Sequence, residues 1–353
     1  MRAVAGAIEG LAPQAPAAAG GAGPDERLRL DWQPYRFRLP RALVTAHGAL
    51  SERRGWLLRL RGGHGLGWGE AVAGPGEEAK LAAALTPLQG AWSRQALETQ
   101  LPTLAAPLRF ALGAALAELA GDPIAAEGAW LAAPPSAWLL PAGEAALPAL
   151  EACLAQLEPT VVAAPSPLPL TVKWKVAVGD DVQERQILER LLERLPATAR
   201  LRLDANGGWD RPTAAAWARR LAAEPRLEWL EQPLDPTDGE GLLALALRLP
   251  VALDESLRQS LPPPDPWPGW QVRRPLLEGD PRPLLAALRQ GQPRLMVSTA
   301  LETGIGRRWL AHLAALQRLG PTPTAPGLAP GWRPCGALFT ADPARVWRAA
   351  GGP

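Results

Sequence analysis

The chain has 353 residues, 47% of them hydrophobic and 20% charged, and a formal net charge of +2. This supports a sizeable core and gives no electrostatic case for nucleic acid or an anionic membrane as partner. No apolar run reaches the ~20 residues of a membrane span, and the length accommodates a barrel of ~250 residues with a smaller domain beside it.

Residues 1–26, rich in Ala, Gly and Pro, lack a signal peptide's cationic start and long apolar core, and are read as a disordered tail. Leu28–Leu39 alternates apolar and polar residues as a half-buried strand does. Gly55–Leu60 and Leu66–Val72 flank a glycine-rich turn, predicting a three-stranded antiparallel meander. Helices are expected over Glu77–Trp92 and Leu108–Leu119. This α+β block, residues 27–132, is the expected second domain, ending at the proline-rich Ala132–Ser136 and joined by a returning tail, 329–353.

From residue 133 to 328, strand and helix patterns alternate, which predicts an α/β chain built as a (β/α)8-type barrel. Trp138–Pro141 begins it, with a helix over Ala145–Leu157. Four short apolar runs follow, from Thr171, Leu201, Leu227 and Val251, with helices such as Gln183–Leu195 and Ala214–Ala222 between them. Strand six is Trp270–Pro275 with a helix over Pro283–Arg289; strand seven is Arg294–Leu301, leading into Arg307–Leu319; an eighth is expected within Pro321–Leu328.

In such a barrel the C-terminal strand ends share one mouth. Asp204, Glu231 and Asp254 end three successive strands, and three crowded carboxylates call for a cation; hard oxygen ligands suit Mg²⁺, with Mn²⁺ a possible substitute. A single acidic residue after a strand is more often a helix cap, so the case rests on the three together. Glu255, adjacent to Asp254, is expected to face the helices or to cap one. Lys173 and Lys175, two apart on a strand, share the interior face, and their repulsion is expected to depress at least one amine pKa. The chain contains only three lysines against 34 arginines, so two placed together suggest a need for a group that can lose its proton. His47, His64 and His312 show no metal-ligand spacing. Two distant cysteines, Cys153 and Cys335, fit a reduced, cytoplasmic protein.

The K-x-K at Lys173–Lys175, D-A-N at Asp204–Asn206, E-Q-P at Glu231–Pro233 and D-E-S at Asp254–Ser256 resemble the enolase superfamily, and most narrowly its o-succinylbenzoate synthases of menaquinone and phylloquinone biosynthesis. Pro40–Gly48 with Arg53–Gly55 resembles that family's substrate-covering loop, and Gly67–Ala71 its capping-domain hairpin. The resemblance runs from about Arg27 to the C-terminus. It implies a barrel with an N-terminal capping domain and a small-molecule carboxylate substrate, with no obligate protein partner. The implied reaction is metal-assisted dehydration of 2-succinyl-6-hydroxy-2,4-cyclohexadiene-1-carboxylate through an enediolate. Asp204, Glu231 and Asp254 would hold the metal, Lys175 would move the proton, and Lys173 would support the developing charge. Arg274 stands where the family usually has lysine. A guanidinium cannot act as a base, so this substitution disfavours the related N-acylamino-acid and dipeptide racemases, which work through two bases. Those racemases and a catalytically inactive metabolite-binding barrel are the alternatives.

Overall fold

A computed structural model of the protein describes residues 26–46, 48–63, 65–124, 126–157, 168–259 and 267–351. The expected tail, apart from residue 26, and His47 and His64 lie outside the described residues.

The N-terminal half is built on an antiparallel sheet. Strands β1 (Arg27–Thr45), β2 (Gly48–Gly62) and β3 (Gly65–Val72) form the meander, longer at its first hairpin than the sequence pattern suggested. The helix expected over Glu77–Trp92 ends early. Helix α1 (Glu78–Leu85) stops before Pro87, whose ring cannot sit inside a helix, and Gly90 turns the chain at φ 122°. Strand β4 (Gly90–Ser93) is thereby released to pair with β1, giving the order β3-β2-β1-β4. Ser93 then caps α2 (Arg94–Gln100). Helix α3 (Ala106–Leu119) lies directly on β3, at a distance only glycine permits: a Cβ at Gly69 would sit 1.8 Å from the Ala111 carbonyl oxygen. Leu28, Leu30, Leu58 and Leu60 fill the space between this sheet and its helices.

The second half alternates strand and helix. In order it runs β5 (Trp138–Leu140), α4 (Ala146–Leu157), β6 (Thr171–Lys175), α5 (Asp181–Arg194), β7 (Arg200–Asp204), α6 (Arg211–Leu221), β8 (Leu227–Glu231), α7 (Gly239–Ala246) and β9 (Val251–Leu253). It continues through β10 (Trp270–Arg273), α8 (Pro275–Glu278), α9 (Pro281–Arg289), β11 (Leu295–Val297), α10 (Gly304–Leu319) and α11 (Pro343–Ala350). The seven strands β5 to β11 form one curled parallel sheet in sequence order. Val172, Trp174, Val176, Leu201 and Leu203 point outward and pack with α5 and α6 into the larger core. Trp229, Ala252, Val272 and Met296 fill the interior.

The expected eighth strand is not a strand. Gly327 makes a single parallel bridge to Ser298, and Ala137 N–H donates to the Pro326 carbonyl at 2.9 Å on the other side. One extended segment therefore spans from β11 to β5. With Pro321, Pro323 and Pro326 it lacks the N–H groups of a full ladder.

The capping sheet is clasped to the barrel. The Glu70 carboxylate, fully buried, accepts from Tyr35 Oη (2.7 Å), Thr303 N (2.8 Å), Thr303 Oγ1 (2.6 Å) and Gly306 N (2.8 Å), so β3 caps the start of α10. From the C-terminus, α11 brings Trp347 against Trp68, with ring centroids 5.7 Å apart. Among the described residues no helix is long and apolar enough to cross a membrane.

Candidate active site

Parallel pairing sets the site. Lys175 is in register with Asp204, and Asp204 with Glu231, so three adjacent strands deliver a lysine and two carboxylates side by side. Lys173 lies two residues lower on the same face, while Trp174 between them is in the outer core. Asp254 follows β9 directly, and Arg274 follows β10 on the far side of the curled sheet from β6.

Two neighbouring motifs are mechanically linked. Gln232, held at φ 40°, turns its amide so that Oε1 accepts from Asp254 N and Ser256 N, both at 3.1 Å. Its Nε2 donates to Ser256 Oγ at 2.8 Å and to the Leu234 carbonyl at 3.0 Å. One side chain thus sets Asp254 relative to Glu231, which is the physical reason for a glutamine after one acid and a serine two residues beyond the other.

All three carboxylates are fully buried, and each rests on protein cations. Lys173 Nζ lies 2.5 Å from Glu231 Oε1 and 2.8 Å from Asp204 Oδ2. Lys175 Nζ donates to Asp204 Oδ2 at 2.8 Å and to Asn206 Oδ1 at 2.7 Å. Arg274 grips Asp254 through Nη2 at 2.5 Å and Nε at 2.8 Å, and lies 3.8 Å from Glu231. Arg258, one helical turn beyond Asp254, reaches its Oδ1 at 2.5 Å.

The electrostatics follow from this pairing. Burial pushes Glu231 up to about 7, with the charges of Asp204 and Asp254 adding to the effect against Lys173. Burial acts on Asp204 in the same direction, but Lys173 and Lys175 more than reverse it and hold that carboxyl below its ordinary range. Asp254 is likewise lowered, against burial, by Arg274 and Arg258. The depression expected of at least one lysine does not fall on Lys173. Burial does work against its charge, but Asp204 and Glu231 outweigh that and raise its pKa, because its closest charged neighbours are acids.

Glu255 also departs from expectation. Its carboxylate accepts from Asn206 Nδ2 at 3.1 Å, and burial together with Asp254 and Asp204 pushes it up to about 7, so it belongs to the rim of the acidic group. Asn206, Arg258 and Arg53 were not singled out as site residues from the sequence. Asn206 sits at φ 46°, a conformation asparagine tolerates, and the D-x-N spacing signals it; Arg258 was visible as the i+4 partner of Asp254. Arg53 reaches a pocket of about 80 Å³ with Lys173, Lys175 and Arg274, walled by apolar side chains including Leu43, Leu139 and Leu301. His312 is far from this chemistry: it is buried, and its Nδ1 accepts from Leu131 N at 3.2 Å.

The donor set suits a hard divalent cation: three carboxylates and no softer ligand. Among the described residues no three acidic, histidine or cysteine side chains are grouped into one cage. Instead Lys173 bridges Asp204 to Glu231, and Arg274 spans Glu231 and Asp254. Positive charge thus stands between each neighbouring pair, where a divalent cation would exert the same attraction.

Residues 170–260 match the family described as enolase C-terminal domain-like. The o-succinylbenzoate synthase of Thermosynechococcus vestitus is 33% identical over 339 residues, covering 92% of this chain and 94% of that protein. The Salmonella arizonae o-succinylbenzoate synthase is 30% identical over 312 residues, covering 84% and 89%. Among solved structures, the Thermosynechococcus elongatus o-succinylbenzoate synthase, complexed with Mg in the active site, superposes with a TM-score of 0.72 at 31% identity, covering 91% of this chain and 99% of that one. The L-Ala-D/L-Glu epimerase of Bacillus subtilis shares the fold at a TM-score of 0.68 and 21% identity. By its sequence, its curled parallel sheet and its capping sheet, this chain belongs to the o-succinylbenzoate synthase family of the enolase superfamily.

Proposed function

We propose that this chain dehydrates 2-succinyl-6-hydroxy-2,4-cyclohexadiene-1-carboxylate to o-succinylbenzoate. Beyond family membership, one observation carries this reading: two lysines on β6 face a group of three buried carboxylates, and the cation opposite them is an arginine. Asp204, Glu231 and Asp254 would hold a divalent cation, Mg²⁺ in preference to Mn²⁺, which would supply the charge that makes removal of a proton next to a carboxylate feasible. Mg²⁺ is preferred because the related Thermosynechococcus structure is described with Mg in its active site.

Lys175 carries the proton. As the free amine it takes the α-proton; as the ammonium it returns that proton to the departing 6-hydroxyl on the same face. A C–H and a C–O bond break, one C=C bond forms, and water leaves, so a single group suffices. The bonds from Lys175 Nζ to Asp204 Oδ2 and Asn206 Oδ1 fix the amine's position for both half-steps. Lys173 stays charged and supports the negative charge developing on the substrate. Arg274, held by two bonds to Asp254, supplies a second fixed cation. Racemisation through two opposed bases is disfavoured because a guanidinium holds its protons.

The test is to incubate the purified protein with substrate and Mg²⁺ and follow the absorbance of the aromatic product. Racemisation of an N-acylamino acid without dehydration would overturn the reading, as would a folded protein with neither activity. Asp204→Asn, Glu231→Gln and Asp254→Asn should each abolish Mg²⁺-dependent turnover and weaken Mg²⁺ binding in calorimetry.

A further inference from the structure

Four cationic side chains line the pocket, and three of them pair with Asp204, Glu231 or Asp254 beside it. Arg53 does not. Its sole hydrogen bond among the described residues runs from Nη1 to the Ala73 carbonyl at 3.4 Å, and its buried Nε has no partner. The next residue along β2 shows the contrast: Arg54 points to the opposite face and pairs with Glu52 at 2.6 Å. Alternation along β2 places Arg53 with Gly55 and Leu57, on the face that also carries Tyr35 and Phe37 and packs on the barrel.

The acids whose charge acts on Arg53, Glu302 and Glu70, are committed elsewhere. Glu70 already accepts four hydrogen bonds from Tyr35, Thr303 and Gly306. Glu302 accepts from Thr299 Oγ1 at 2.7 Å and Ala300 N at 3.1 Å, and pairs with Arg307 at 3.3 Å. Arg53 is half-buried, and its Nε, buried without an acceptor, is unfavourably placed unless a ligand brings one. The pocket offers that arrangement: apolar walls at Leu43, Leu139 and Leu301, with one fork-shaped donor free.

We propose that Arg53 binds the remote carboxylate of the substrate, at the end of its flexible acyl arm, and so selects dicarboxylates over monocarboxylates. This rests on the dehydration reading of the site. A neighbouring cavity of about 340 Å³ also touches Leu43 and Lys175 and has room for the arm, but its other charged lining residues are Glu144, Asp180 and Glu184. Three acids against one shared lysine disfavour a carboxylate there, and the Arg53 side favours it.

The experiment compares two ligands that differ only in that carboxylate: o-succinylbenzoate and 2-butanoylbenzoate, whose arm ends in a methyl group. Binding is measured by titration calorimetry with Mg²⁺ present, for the wild type, Arg53→Gln and Arg53→Lys, with circular dichroism confirming the fold. The wild type should prefer o-succinylbenzoate by about tenfold to a hundredfold, the range of a hydrogen-bonded charge pair. Arg53→Gln should erase that preference while changing 2-butanoylbenzoate affinity less than about twofold, and Arg53→Lys should recover part of it. In turnover the loss should fall on KM rather than kcat. Equal weakening of both ligands in Arg53→Gln would make Arg53 a structural support and overturn the proposal, as would a wild type that does not distinguish them. If Arg53→Gln does not fold, Arg53→Lys decides: a loss confined to o-succinylbenzoate supports the proposal, and an equal loss or none overturns it. A wild type that dehydrates its substrate while failing these comparisons refutes only the role of Arg53. One that neither dehydrates nor binds o-succinylbenzoate refutes the dehydration reading and this proposal with it.

Discussion

Replacing Lys173 with methionine removes the cation shared by two buried carboxylates and leaves a side chain of similar length. Asp204 would keep Lys175 at 2.8 Å. Glu231 would keep only Arg274 at 3.8 Å and the Trp229 indole N–H at 3.4 Å, so the loss falls on Glu231. Removing one partner of a buried ion pair typically destabilises by about 3–5 kcal/mol. The pH dependence follows from Glu231, which burial and its acidic neighbours already push up to about 7. A carboxyl whose pKa is higher folded than unfolded binds its proton more tightly in the folded state, so its contribution worsens as pH rises from about 4.5 through 7. Without Lys173 the Glu231 pKa should rise further, so wild type and variant lose stability in parallel up to about pH 7 and part above it; urea unfolding should show a larger loss at pH 8 than at pH 5.5, growing by up to roughly 1.4 kcal/mol per pH unit above 7. At one fixed Mg²⁺ concentration, where a hundredfold excess over Kd is worth about 2.7 kcal/mol, the variant should gain more than the wild type, whose Lys173 already lies between the two acids. A loss below about 1 kcal/mol that does not change with pH would refute the pairing on which this reasoning depends.

Lys175→Arg keeps the charge but cannot cycle a proton, so turnover should fall at least ~100-fold, with Lys173→Arg less harmful. Solvent deuterium exchange at the α-carbon checks the assignment: exchange surviving in Lys175→Arg and lost in Lys173→Arg would mean the two roles are reversed. Glu70→Ala strips acceptors from Tyr35, Thr303 and Gly306 at once, and should lower stability by more than about 2 kcal/mol in calorimetry; a smaller effect would mean the clasp between cap and barrel is dispensable. Burial lowers the pKa of His312 below its unfolded value, so stability is lost as pH falls through about 6.5. Denaturation at pH 7.5 and 5 should show a steeper loss for the wild type than for His312→Gln, and equal slopes would count against a neutral His312.

Much of the architecture was legible because it is local. An apolar run ending in Asp or Glu, followed by a helical period, predicts a strand that delivers a carboxylate to the mouth of a parallel sheet, and β7, β8 and β9 arise in this way. The alternation of Val172, Trp174 and Val176 with Lys173 and Lys175 likewise determines which side of β6 faces inward. The misreadings came from competition between local signals. Pro87 and Gly90 divided an apparent helix into α1 and β4, and prolines at 321, 323 and 326 reduced an apparent strand to a single bridge.

Charge states and partners were another matter, because they depend on which strands become neighbours. Two lysines two residues apart repel each other in the sequence. In the fold Lys173 lies against Asp204 and Glu231, 31 and 58 residues away, and its pKa moves the other way. Arg53 and Arg54 are equivalent in the sequence, yet the face of β2 on which each lies gives one an acidic partner at the surface and leaves the other at the pocket with only the Ala73 carbonyl. The sequence by itself determined that Lys173, Lys175, Asp204, Glu231 and Asp254 come to one end of the sheet, though not that Glu255, Asn206, Arg258 and Arg53 join them, since strand alternation and helix periodicity are short-range properties. Only the tertiary structure decided what each charge there meets, because burial and Coulomb attraction act between residues that the chain brings together from far apart.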